Sequence, residues 1–154
     1  MLKPVDIPRF AELGLTASIQ PQHAMDDRDV ITRFWGNPAG VPYAFNALHE
    51  AGTKLLMGSD APVAPLDPWL AISAAVFGTE SSDREPFQPE QCLDFEHALA
   101  SSTAQGRTDL RVGDNADLVL LDRDPSIIDE PESMQAMPEH IVGTMLSGRW
   151  TYQR

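Results

Sequence analysis

One stretch, Lys54-Leu55-Leu56-Met57-Gly58-Ser59-Asp60-Ala61-Pro62-Val63, limits what this chain can fold into more than any other. Leu55 to Met57 are too few for a helix and too apolar for a solvated loop, which predicts a buried strand of a parallel sheet. The Gly, Ser, Asp, Ala and Pro that follow end the strand and leave Asp60 at the sheet's C-terminal edge. Ligands bind at that edge in parallel α/β architectures, and in a (β/α) barrel the catalytic side chains sit there. Asp60 is therefore a candidate site residue. An Asp followed by Ala-Pro also suits a plain turn or the cap of a following helix.

The neighbouring segments supply the rest of an α/β pattern. Val5 to Gly14 reads as a short helix, with Asp6 able to cap it, Ile7, Phe10 and Ala11 on one face and Gly14 ending it. Leu15 to Ile19 follows as a strand, and Gln20 to His23 leave its end, the kind of position Asp60 also occupies. Asp26 to Trp35 reads as a short helix, Asn37 to Pro42 as a loop, and Tyr43 to Ala51 as a helix stopped by Gly52. Two parallel strands are all this supplies. Beyond Pro68, Trp69 to Phe77 is predicted as an apolar helix, Gly78 to Gln91 as a polar surface loop, and Asp94 to Ser102 as a helix with Phe95, Ala98 and Leu99 inward. Ala116 to Leu121 reads as a strand, Asp129 to Glu132 as an acidic loop, and His140 to Tyr152 as a hairpin turning at Ser147-Gly148.

Composition narrows the classes of function. With 154 residues, 42% hydrophobic and 22% charged, the chain suits one soluble domain with a core of its own. A complete (β/α)₈ barrel needs roughly 250 residues. Only 11 Lys and Arg stand against 23 Asp and Glu, a net charge of −12 with no basic block, which argues against nucleic acid and anionic membrane as partners. The single cysteine, Cys92, makes no intrachain disulfide, so a reducing, cytoplasmic compartment is expected. Neither a signal-like start nor a long apolar run is present, so no membrane segment is expected.

Three motifs occur in order: Ser18-Ile19-Gln20-Pro21-Gln22-His23, then Gly58-Ser59-Asp60-Ala61-Pro62-Val63 with Asp67-Pro68, then Gly113-Asp114-Asn115-Ala116-Asp117-Leu118-Val119-Leu120-Leu121-Asp122. Together they resemble the metal-dependent amidohydrolases, in the branch called amidohydrolase family three, from about Asp6 onward. The resemblance implies an α/β fold: a partial (β/α) barrel comprising the last two strand-helix units, plus C-terminal strands of a small β-sandwich. It divides the chain into residues 1–104, the C-terminal part of the barrel domain, and 105–154, the sandwich strands. The implied activity is hydrolysis of carbon–nitrogen bonds in a small-molecule amide or cyclic amide.

Site roles come from the same resemblance. Asp60 matches the Asp after the eighth barrel strand, which accepts a proton from a metal-bound water and touches the metal, both suited to a carboxylate. His23 matches a histidine after the seventh strand that could hydrogen-bond substrate or the tetrahedral intermediate, with Gln20 a weaker candidate for that role. A surface loop histidine is the other reading of His23. The family's remaining ligands, a His-x-His after the first strand, a Lys or Glu after the fourth, and histidines after the fifth and sixth, are absent from this sequence. A catalytic Zn²⁺ needs about three protein ligands. A divalent metal, Zn²⁺ above others, is thus expected in the full-length family and none on this chain alone, which makes the chain an inactive fragment. The helix after Asp60 reads Val76-Phe77-Gly78 where relatives commonly carry an Arg, and Ala98 to Gly113 is abbreviated. His49 and His97 fall inside predicted helices with no ligand partner at suitable spacing and read as solvated or partly packed, and His140 opens the terminal hairpin, far from both motif strands in sequence. The alternative function is a non-catalytic remnant kept as a binding or assembly module. A partial barrel leaves strand edges open, so a homodimer, or pairing with a missing N-terminal half, is expected.

Overall fold

Most helix starts carry a proline or a capping carboxylate that would place them there, the helix Phe45–Glu50 being the exception. A computed structural model describes residues 1–36 and 39–154; residues 37 and 38, part of the loop expected from Asn37 to Pro42, lie outside them. The elements run α1 (Ile7–Glu12), β1 (Thr16–Ile19), α2 (Pro21–Phe34), α3 (Phe45–Glu50), β2 (Lys54–Met57), α4 (Pro68–Phe77), α5 (Phe95–Ser101), β3 (Leu118–Leu121), α6 (Pro131–Gln135), β4 (Ile141–Leu146) and β5 (Arg149–Gln153). Proline opens α2, α4 and α6, where its fixed φ suits the first turn and its missing N–H costs nothing.

Parallel and antiparallel sheets are both present, in a mixed α/β architecture. β1 and β2 run parallel, Thr16 opposite Lys54 and Ile19 opposite Met57, with a helical crossover between them. Ala17, Ile19 and Leu55 point into the helical layer and are buried, while Thr16, Ser18, Lys54 and Leu56 lie on the other face and are exposed. The expectation of a strand buried throughout is corrected here. Leu56 is 39% exposed because nothing among the described residues covers that face.

β3, β4 and β5 form the antiparallel sheet, with bulges at Leu120/Leu121 and Thr144/Met145. The β4–β5 hairpin turns at Ser147 and Gly148, both at positive φ (50° and 76°), the conformation that matches the twist of paired strands. Trp150 lies over Gly143, where a Cβ would meet the indole at 2.6 Å.

The core gathers around α4, whose Ile72 and Ala75 are almost wholly buried, with Leu48, Leu55, Leu93 and Ala98 in the same cluster. Met134 and Met137 join it at 0% exposure, and Ser73 Oγ donates to the Pro131 carbonyl at 3.2 Å. The acidic loop expected from Asp129 to Glu132 therefore ends in a helix that docks on α4. Its apolar side is too short to announce itself in sequence. A second correction concerns Gln20 to His23, expected as a loop before a helix at Asp26; the helix begins at Pro21, and His23 lies in its first turn. The segment from Gly78 is not wholly a surface loop either: Thr79 is buried, and Phe87 packs on the core. No helix among the described residues is long and apolar enough to cross a membrane.

Candidate functional site

Because β1 and β2 are parallel neighbours, the segments that leave their C-terminal ends emerge side by side. The Gly58 N–H donates to the Ile19 carbonyl at 3.0 Å, tying the start of the Asp60 loop to the residue before Gln20. Asp60 sits just past β2, exposed, with φ at +57°. Its carbonyl accepts the Val63 N–H at 2.9 Å, so its backbone makes a turn. The capping alternative belongs to another residue: Asp67 caps α4, its carboxylate accepting the Trp69 N–H at 2.9 Å. The Ala61–Pro62 peptide bond between them is cis.

Gln20 and His23 occupy the neighbouring exit. Gln20 precedes α2 as its cap residue, and its amide donates to Ser18 Oγ at 3.1 Å. His23 is half-buried, its N–H donating to the Gln20 carbonyl at 3.2 Å. Its Nε2 is buried and has no hydrogen-bond partner among the described residues. A buried ring nitrogen without a partner is costly, and such atoms call for an explanation. Gln22, between them, donates to Glu80 at 2.8 Å and holds α2 to the loop after α4. Among the described residues no hydrogen bond joins Asp60 to Gln20 or His23. The structure brings them to one edge and not into one network.

Beside the end of β2 opens a cleft of 260 Å³, lined by Met57, Gly58, Ser59, Leu66, Asp67, Pro68, Ala71 and Ser102. Sequence reasoning missed Ser102, whose hydroxyl lies 3.3 Å from Met57 Sδ; only the packing of α5 on β2 brings it there. Among the described residues no three His, Cys, Asp or Glu side chains are arranged to hold a metal ion. Asp60 offers one carboxylate, and among the described residues the donor set that a divalent cation requires does not surround it.

Two histidines read as unconnected do meet. His49 of α3 and His97 of α5 lie with ring centroids 3.9 Å apart, and His97 Nδ1 is 2.6 Å from Asp94 Oδ2. The Asp-x-x-His spacing at the start of α5 was the only local signal; the contact with His49 depends on tertiary packing. His140 is also paired, its Nδ1 lying 2.8 Å from Asp122. Elsewhere, Tyr43 Oη donates to Asp27 at 2.5 Å, and burial together with that carboxylate pushes the phenol well above its ordinary range. Burial, with Glu90 nearby, likewise raises the Cys92 thiol.

Comparison with known proteins addresses the family and the fold. The family model described as the amidohydrolase family matches residues 1–152. The chain is 33% identical over 104 residues to the protein LONG AFTER FAR-RED 3 of Arabidopsis thaliana, an alignment covering 66% of this chain and 18% of that protein. It is 27% identical over 160 residues to YtcJ of Bacillus subtilis strain 168, which carries the name of an amidohydrolase, over 96% of this chain and 30% of that protein. An uncharacterized metal-dependent hydrolase from Pyrococcus furiosus has a similar structure, with TM-score 0.54 and 29% identity over 66% of this chain and 20% of that one. A second, from Pyrococcus horikoshii OT3, shares the fold at TM-score 0.51 and 24% identity, over 66% of this chain and 21% of its own length. The chain thus spans 18% and 30% of the two curated relatives. With a family match running almost end to end and a fold shared with metal-dependent hydrolases, the chain belongs to the amidohydrolase family.

Proposed function

We propose that the chain is the C-terminal portion of a metal-dependent hydrolase of carbon–nitrogen bonds, acting on a small-molecule amide or cyclic amide, with Asp60 as its general base. The observation that carries this reading is positional: Asp60 and the Gln20–His23 segment leave the C-terminal ends of adjacent parallel strands. In this reading Asp60 takes a proton from the attacking water, the resulting hydroxide adds to the amide carbonyl, and the carbon–nitrogen bond breaks as Asp60 returns that proton to the leaving nitrogen. His23 and Gln20 bind the substrate, a role supported by their place at the strand end beside Asp60.

β1 and β2 are then the last two strands of a (β/α) barrel, and their exposed Thr16, Ser18, Lys54 and Leu56 belong to its inner wall. Residues 1–104 form that part, and residues 105–154 contribute β3, β4 and β5 to an accessory sandwich. A catalytic divalent ion, Zn²⁺ being the expected one, needs about three protein ligands. The residues present do not fit it: Asp60 supplies one donor, no trio of donors accompanies it among the described residues, and the rest must come from sequence outside this chain. The chain alone is accordingly without hydrolase activity.

A second reading, a non-catalytic module for binding or assembly, is favoured by the open face and edges of the β1–β2 pair. One experiment separates the two. In a longer protein carrying this segment, Asp60→Asn should lower kcat on an N-acyl substrate by about 10²–10⁴ with KM little changed. Unchanged kcat would refute Asp60 as base. Hydrolysis by the isolated chain would refute its description as a part.

A further inference from the structure

A second candidate site lies away from the Asp60 edge, between α3 and α5, both of which pack on β2. His49, in the last turn of α3, meets His97 of α5 with ring centroids 3.9 Å apart and planes tilted by 48°. Asp94 serves His97 twice: Oδ1 accepts its backbone N–H at 2.8 Å, capping the helix, and Oδ2 lies 2.6 Å from the ring's Nδ1. A carboxylate against Nδ1 keeps the proton there and leaves Nε2 with its lone pair directed away, the arrangement by which carboxylates orient metal-ligating histidines. The His97 side chain is 46% exposed, so a dissolved ion can reach it.

We propose that His49 and His97 bind one divalent transition-metal ion of the Zn²⁺ type, with Asp94 as the positioning residue and water completing the coordination. Imidazole suits Zn²⁺, Cu²⁺ and Ni²⁺, where carboxylate and carbonyl oxygens suit Mg²⁺ and Ca²⁺. Each ring nitrogen must stand about 2.0–2.1 Å from the ion, so the rings, now in contact, splay apart by side-chain rotation as it enters. No three-residue donor group exists among the described residues, so the protein supplies two ligands and solvent the rest. An ion there would clamp together the two helices that brace the strand leading to Asp60, and its role would be structural.

The test titrates Zn²⁺ into the full 154-residue chain against a chromogenic chelator, with thermal melts in parallel. One equivalent should be held at micromolar concentration, and Tm should rise with added Zn²⁺. His97→Gln and His49→Gln should each abolish both effects while far-ultraviolet circular dichroism stays unchanged. Asp94→Asn, which keeps a helix cap, should weaken binding by about 10–100-fold. Cys92→Ser and Asp60→Asn should leave it unaltered, which distinguishes this site from the proposed catalytic edge. Failure to bind Zn²⁺ saturably, binding that survives both histidine substitutions, or binding lost on changing Cys92 or Asp60 would overturn the proposal.

Discussion

At Asp60 the backbone narrows the choice of side chain before any chemistry is asked of it. A φ of +57° is left-handed, a region that glycine, asparagine and aspartate enter at least cost. Of these only aspartate carries a charge. Asp60→Asn therefore removes the charge and keeps the turn, whereas alanine would strain it. Glu132 shows the opposite case, a carboxylate whose partners alone define it. The Ser82 hydroxyl donates to it at 2.6 Å and the Ser82 N–H at 2.7 Å, and together they hold its pKa down to about 2 from an ordinary 4.5. The unfolded chain binds this proton more readily, so the contribution to stability is present above about pH 4.5 and is lost as pH falls toward about 2. Glu132→Gln should flatten that part of the acid limb, read as urea midpoints across the window. Asp60 was legible in sequence because a strand and its terminator adjoin it. Glu132 was not, since its partner belongs to a loop remote in sequence, and the same holds for His49 beside His97.

Elements were legible where chemistry and periodicity coincided. The β4–β5 hairpin follows from Ser147-Gly148, and α4 from a long apolar run behind Asp67-Pro68. α2 begins earlier than its apolar pattern suggests, because Pro21 suits a first helical turn as well as it suits a loop. α6 was read as the tail of an acidic loop; its content is one short helix, with Met134 and Met137 carried into the core by docking on α4. That docking is testable. Met134→Ala should destabilise the fold by about 2–5 kcal/mol, the range for emptying a fully buried site, as measured by urea denaturation. A loss near zero would mean that α6 is peripheral.

For the molecule as a whole, the β1–β2 pair is the least finished part. Leu56 is exposed on its open face, Leu13, Leu15, Val63 and Leu66 are exposed in the flanking segments, and among the described residues both outer strand edges are unpaired. Such surfaces favour association, so the isolated chain should run as a homodimer in light scattering; a clean monomer at high concentration would contradict this. The net charge of −12 makes that association salt-dependent, weaker at low ionic strength where like charges are least screened. Sequence patterns gave this face away only in part, because an apolar strand does not state how many neighbours it has. The return of Pro131 to Met137 onto α4 has one last bearing, on synthesis. The flank of α4 around Ile72 and Ser73 stays uncovered until residues 131–137 have left the ribosome, so the nascent chain carries that part of its core open for the whole interval between the two segments.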